Sequence, residues 1–330
     1  MNRDLCSVRH RLEFSTLAIL SAALLIACAG SEPPRSGVDS HSASSDPAVE
    51  VIGRRGLEPG EFHRPRAVLV DSRNRLFVID RSGWIQRLSA SGAPEKRWRL
   101  PAWDNGTPTG ITLDDDGNLW VADTHYGQIL VYSDDGALLR RFGEQAGTGE
   151  VLPGQLIFPT DVALDGKGNA YVTEYGVRVR VLKFTVEGEF LEEWNPIDPE
   201  TGDEVLMRPM AIVYEADRDD FLIADTAHHR LVRMAPDGEI VEFIGHEGSG
   251  PGEFNYPYDV ALESDGSILV CEWGNGRVQR LAPDGSPLES WGHQGRGLGE
   301  LWTPWGVTVR GDGALVVADT ENHRLQVFLQ

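Results

Sequence analysis

From residue 49 to residue 330 one pattern is written six times. Each unit opens on a proline, alternates apolar and polar residues, turns, and closes on a short apolar run that ends in an acid. The prolines are Pro65, Pro108, Pro159, Pro209, Pro257 and Pro304, and the acids are Asp80, Asp123, Glu174, Asp225, Glu272 and Asp319. Successive members of either series lie 43 to 51 residues apart. One such unit cannot bury its own apolar face. Neighbouring units must therefore stack on one another.

A period of this length is that of a four-stranded β-propeller blade. The second unit shows the four strands. Gly110–Leu113 is strand a, and Asp115-Asp116-Gly117-Asn118 is a hairpin turn in which glycine supplies positive φ. Leu119–Ala122 is strand b, Ile129–Tyr132 strand c, and Leu138–Phe142 strand d. No segment carries a convincing helical period, and 37 glycines with 19 prolines suit a turn-rich, all-β chain.

The ring also shows how it closes. Glycines 92, 136, 188, 238 and 285 mark five turns between strands c and d, and the sixth unit stops after Leu325–Phe328. The missing strand stands at the other end of the pattern. Val49-Glu50-Val51-Ile52-Gly53 matches Val241-Glu242-Phe243-Ile244-Gly245, strand d of the fourth unit. The expectation is a six-bladed propeller over residues 49–330 whose N-terminal strand completes the last blade and removes an open sheet edge.

The loops after the acids carry a resemblance. Asp319-Thr320-Glu321-Asn322-His323-Arg324-Leu325 resembles the signature of the NHL repeat, with close variants at Asp225–Leu231 and Glu272–Val278. Blade 2 departs from it with Gln128 in place of arginine, blade 1 has Trp84 there, and blade 3 keeps Arg180. Gly248–Phe254 and Gly56–Phe62 are copies of one inter-blade segment, and Gly295–Leu301 is a looser one. The resemblance implies the fold and leaves the function open, because such propellers host many activities.

Residues 1–48 read as an address. Arg3, Arg9 and Arg11 precede an apolar run from Phe14 to Ala27, too short to span a bilayer and suited to a signal peptide. Leu25-Ile26-Ala27-Cys28 resembles a bacterial lipobox, which implies cleavage before Cys28 and its lipidation. Residues 28–48 then form a Ser/Pro/Gly-rich tether with an r.m.s. span of about 25 Å. Ala29 after the cysteine implies the outer membrane. The expected domains are thus 1–27, 28–48 and 49–330, with the propeller outside the cytoplasm, monomeric, and touching membrane only through its lipid.

The chain holds 51 acidic and 30 basic residues, a net charge of −21. That balance argues against nucleic acid and against adhesion to anionic lipid. Three cysteines make no disulfide framework, and with Cys28 lipidated Cys271 has no partner.

Strand direction places the residue after each proline, the acids and the long loops on one face. The opposite face carries tight Asp/Gly hairpins with little expected chemistry. Seven of nine histidines fall on the loop-rich face: His63, His125, His228, His229, His246, His293 and His323. The strand-end acids suit a structural job, accepting backbone N–H groups in the following turn. A calcium site formed by the ring Asp80, Asp123, Glu174, Asp225, Glu272 and Asp319 is the competing reading. The NHL-loop arginine is expected to anchor locally.

Peptide-amidating lyases are six-bladed relatives by resemblance, with histidines directly after the strand-a proline converging on zinc. The matching residues here are Arg66, Thr109, Thr160, Met210, Tyr258 and Trp305, none of them a histidine. Zinc needs three or four converging N, S or O ligands, so that activity is not expected. The same ring points to an aromatic sector instead. Tyr258, Trp305, Trp302, Trp273 and Tyr175, with Arg66 across the closure, form a candidate site for a carbohydrate, a peptide or an aromatic ligand. Trp305→Ala and Tyr258→Ala should weaken capture and leave unfolding nearly unchanged.

The resulting expectation is a non-catalytic binding or scaffold module for a protein, peptide or glycan, without cofactor or catalytic residues. The alternative is a channel-centred hydrolase or lyase using a divalent cation, calcium rather than zinc.

Overall fold

A computed structural model describes residues 48–145, 151–197, 202 and 204–329. The expected signal peptide, Cys28 and the expected tether up to residue 47 lie outside the described residues. Six four-stranded antiparallel sheets follow one another along the chain. Their innermost strands are Pro65–Val70, Gly110–Leu113, Phe158–Leu164, Pro209–Glu215, Pro257–Leu262 and Gly306–Val309. Three single 3₁₀ turns, at Thr124–Tyr126, Thr226–His228 and Thr320–Asn322, are the helical pieces among the described residues.

The closure is as expected. Val49–Ile52 pairs antiparallel with Arg324–Phe328, Val49 opposite Phe328 and Ile52 opposite Leu325, and so becomes the outer strand of the last blade. The core is divided accordingly. Six apolar clusters lie at the six blade junctions. At the closing junction Phe62, Leu76 and Val78 of the first blade pack on Val316, Leu325 and Val327 of the last. Each fully buried side chain of this kind contributes roughly 1.5–3 kcal/mol. Leaving the ring open would expose one whole cluster.

The inter-blade segments act as plugs. Phe62, Leu156, Phe254 and Leu301 are fully buried between blades. Gly53, at φ +77°, shows why glycine precedes the plug: a Cβ there would stand 2.3 Å from the Phe62 ring. A glutamine on strand c holds the same loop. Gln86 Nε2 donates to the Glu61 carbonyl at 2.8 Å, and Gln279 and Gln326 repeat the bond to Glu253 and Glu300.

Candidate functional site

The inner strands begin at the rim of the central channel on the loop-rich face. There each junction is crossed by a polar bond from a residue close to the proline or the strand-end acid. From blade 1 to 2, Arg66 Nη1 donates to the Thr107 carbonyl at 3.0 Å. From 2 to 3, Thr109 Oγ1 donates to the Thr160 carbonyl at 2.8 Å. From 3 to 4, Thr160 Oγ1 donates to the Pro209 carbonyl at 2.7 Å, and Asp161 Oδ2 accepts from the Ile212 N–H at 3.0 Å. From 4 to 5, Thr226 donates to the Pro257 carbonyl. From 5 to 6, Asp259 Oδ2 accepts from the Val307 N–H at 2.8 Å. From 6 to 1, Thr320 donates to the Pro65 carbonyl at 2.6 Å.

Two junctions carry a second clasp. The NHL-loop histidines His229 and His323 sit in the left-handed region, at φ 55° and 59°. Their Nδ1 atoms accept the N–H of Tyr256 and Arg64 at 3.2 and 3.1 Å. Those two partners precede the strand-a prolines, as do Arg208 and Thr303, and all four adopt left-handed φ between 48° and 57°. Such a backbone before proline is strained. The clasps hold two of the four in place.

Most of the aromatic sector assembles at this rim. The Arg66 guanidinium lies 4.3 Å over the Trp305 ring, across the closure. Trp305 and Tyr258 have ring centres 5.0 Å apart, and Tyr258 stacks on Trp273 at 6.0 Å. Arg208 spans the gap to Tyr175, 5.5 Å from that ring and 5.9 Å from Tyr258. Trp302 stands apart: it lies under Arg296 at 4.6 Å, and its N–H donates to Asp319. The expected tolerance of Tyr258→Ala needs correction. Tyr258 is 8 % exposed, so truncation leaves a cavity and costs about 3–5 kcal/mol.

Among the described residues a space of about 20 Å³ lies below the rim, lined by Thr109, Gly110, Asp161, Met210, Tyr258 and Asp259. That admits a single water. Gly110 is small because a Cβ would meet Asp161 Oδ1 at 2.2 Å. Burial pushes the Asp161 carboxyl well above its ordinary range, with Asp259 adding to it, and pushes Asp259 up to about 7. Both Asp259 oxygens accept backbone N–H groups, while Asp161 Oδ1 is buried without a partner. One unengaged oxygen falls short of the six to eight that calcium takes. Among the described residues no three or more His, Cys, Asp or Glu side chains gather as metal ligands.

The strand-end acids do not converge on the channel. Asp319 accepts from the Trp302 N–H, Asn322, Arg324 and Gln326. Glu272 accepts from the Asn255 N–H, Asn275, Arg277 and Gln279. Glu174 pairs with the buried Arg180, Asp225 with Arg230, and Asp80 with the N–H groups of His63 and Ser82. Asp123 differs. It receives Gln128 Nε2 at 2.8 Å, its Oδ1 has no partner, and burial pushes it up to about 6. The histidines do not gather as a set of three either: His228 bonds Asp225, His246 and His293 are exposed beside Glu253 and Glu300, and only His63 and His323 meet, with ring centres 5.6 Å apart, among the described residues.

The hairpin face is less bare than expected. A cleft of about 510 Å³ between blades 2, 3 and 4 is lined by Asp114, Trp120, Arg140, Asp165 and Tyr214. Its Asp114 and Asp165 carboxylates are engaged by their own turns. The cleft's Arg140, like Arg66, has a buried Nε without a partner and lies over a ring, Trp120, at 5.6 Å. The rim differs in its longer run of rings, Trp305, Tyr258 and Trp273, and is taken as the better site on that ground.

A family model described as the NHL repeat matches residues 106–132 and 301–328. Two stretches of the six-bladed propeller, one in blade 2 and one in blade 6, thus match the NHL repeat. This propeller is similar to the human NHL repeat-containing protein 3, 28 % identical over 185 residues, covering 53 % of this chain and 51 % of that protein. It is also similar to the peptidyl-glycine alpha-amidating monooxygenase B of Xenopus laevis, 28 % identical over 159 residues, 46 % of this chain and 18 % of that one. The propeller thus spans about half, or less, of the curated relatives it matches. A solved streptogramin B lyase superposes with a TM-score of 0.59 at 15 % identity, over 86 % of this chain and 98 % of that one. That likeness is one of fold.

Several rim residues were not singled out from sequence: Arg208, Thr107, the clasping role of His229 and His323, and the two channel acids. For the acids a signal was present. Pro159-Thr160-Asp161 and Pro257-Tyr258-Asp259 share a Pro-x-Asp frame, where the other blades place alanine or glycine.

Proposed function

We propose that this NHL propeller is a non-catalytic binding module that captures a peptide, protein or glycan at the rim of its channel, held at the bacterial envelope by lipid on Cys28. The observation that carries the reading is the continuous row Arg66–Trp305–Tyr258–Trp273 at the channel rim. Aromatic groups beside an arginine offer large contact area at low entropic cost. Among the described residues no helix is long and apolar enough to cross a membrane. The lipobox-like Leu25-Ile26-Ala27-Cys28 is what supports attachment through lipid.

Peptide and glycan arrays probed with wild type and with Trp273→Leu test the reading. A ligand class retained by wild type and lost by the variant supports it. Equal retention by both removes the rim as the site. Cys28→Ala tests the anchor: the protein should move from the membrane fraction to the soluble one.

A second reading, a channel-centred hydrolase or lyase, draws on the raised carboxyls of Asp161 and Asp259. The calcium it would use finds too few free oxygens at these two residues. An unchanged melting temperature in EDTA, with no metal by elemental analysis, would remove the cation from this reading.

A further inference from the structure

Arg66 is held in a way the fold leaves incomplete. Its Nη1 donates to the Thr107 carbonyl, its Nε is buried with no partner, and no carboxylate among the described residues lies within ion-pair distance. The repeat's own arginines are treated differently. Arg180, Arg230, Arg277 and Arg324 each meet the strand-end acid of their blade. Desolvation, with Arg81 nearby, lowers Arg66 to about 10. A guanidinium taken from water without an anion is costly.

Other charges at the rim share its sign. Arg208 lies over Tyr175 and Tyr258. Arg81 is exposed and acts on Arg66 through space. His125 is held below its ordinary value by burial and then by Arg66 and Arg81. Of the acids on this face, the strand-end carboxylates are turned into their own blades, and Glu321 is engaged by Arg64 at 3.0 Å. The channel aspartates lie deeper and engage the next blade's N–H groups. Among the described residues, Arg66, Arg208 and Arg81 thus gather where the aromatic rings do, in a chain of net charge −21.

We propose that the rim binds its ligand through a carboxylate, placed between Arg66 and Arg208, with an apolar or aromatic body against Tyr175 and Trp273. The proposal rests on the reading of the rim as the binding surface. Nη1 is tied to Thr107 and Nε is covered, which leaves Nη2 as the open donor to a carboxylate oxygen, a charge-assisted bond. The carboxylate supplies the missing anion, and the rings exclude water around the pair.

Three probes separate the parts of the proposal by tryptophan fluorescence: 3-phenylpropionate, 3-phenylpropionamide and glucuronate. Wild type should bind the first saturably, and the amide and the polar acid roughly tenfold more weakly. Affinity for the acid should fall as salt rises. In Arg66→Gln the acid and amide should become equal, and Arg66→Lys should restore part of the difference. Near-UV circular dichroism checks that both variants are folded. Equal binding of acid and amide by wild type, abolished by Trp273→Leu, overturns the carboxylate and leaves the rim reading standing. Equal binding of glucuronate and 3-phenylpropionate overturns the apolar body. Absence of binding by all three overturns the proposal.

Discussion

The hydroxyl of Thr320 in the last blade donates to the carbonyl of Pro65 in the first at 2.6 Å, and both groups are buried. Strand-swapped closure therefore has a second, inner fastening besides the pairing of Val49–Ile52 with Arg324–Phe328. Thr226 makes the same bond to Pro257 in the middle of the chain. Removing the donor leaves a buried carbonyl unpaired, which costs about 1–3 kcal/mol. Thr320→Val, which preserves shape, is expected to lower stability by that amount in urea unfolding. Thr226→Val should cost about the same. An unchanged midpoint for Thr320→Val would mean that outer-strand pairing alone closes the ring.

The six strand-end acids look alike in sequence and differ in surroundings, so one substitution should act with opposite signs. Asp319 receives one backbone N–H and three side chains, Arg324 among them. Asp319→Asn should destabilise by about 3 kcal/mol, because Arg324 loses its counter-charge and a donor group replaces an acceptor. Asp123 receives Gln128 alone and is pushed up to about 6 by burial. At pH 7.5 its charge opposes folding, so Asp123→Asn should be neutral or stabilising by up to about 1 kcal/mol. Thermal melts of the two variants under one buffer check the contrast. A loss at Asp123 equal to that at Asp319 would show that the local surroundings do not decide the outcome.

That contrast also marks what could be read from residues alone. The prolines, the acid series and the Asp/Gly turns gave the blades, and the match of Val49–Gly53 to Val241–Gly245 gave the closure, because these patterns follow local backbone chemistry repeated along the chain. The meeting of Arg66 with Trp305 followed from the same threading. The departure of Trp302 did not, since nothing in its place along the chain marks the Arg296 side chain that covers its ring. The burial of Tyr258 was equally hidden: position along a strand names the rim and not the neighbouring side chains that cover it. Asp161 and Asp259 were overlooked because their partners, Ile212 and Val307, lie in other blades, 51 and 48 residues away.

Asp259 offers the clearest pH test. Its folded carboxyl is raised to about 7 by burial, whereas an unfolded aspartate titrates near 3.9. Between those values the folded state keeps a proton that the unfolded state has lost. The stabilisation from this group is therefore complete below about pH 4 and disappears as pH rises to about 7. The clasping His323 acts oppositely. Burial, then Arg55 and His63, lower it below its ordinary value, so its contribution is present above about pH 6.5 and lost on acidification. Below about pH 6.5 the two contributions change in opposite directions as pH falls, so wild type should show a shallower profile there than His323 alone would give. Asp259→Asn removes the first contribution and leaves the second, so the variant should lose stability towards pH 5 more steeply than wild type. Denaturant midpoints at pH 5, 6 and 7.5 measure this directly. Identical profiles would mean that Asp259 is ionised in the folded ring across the whole range.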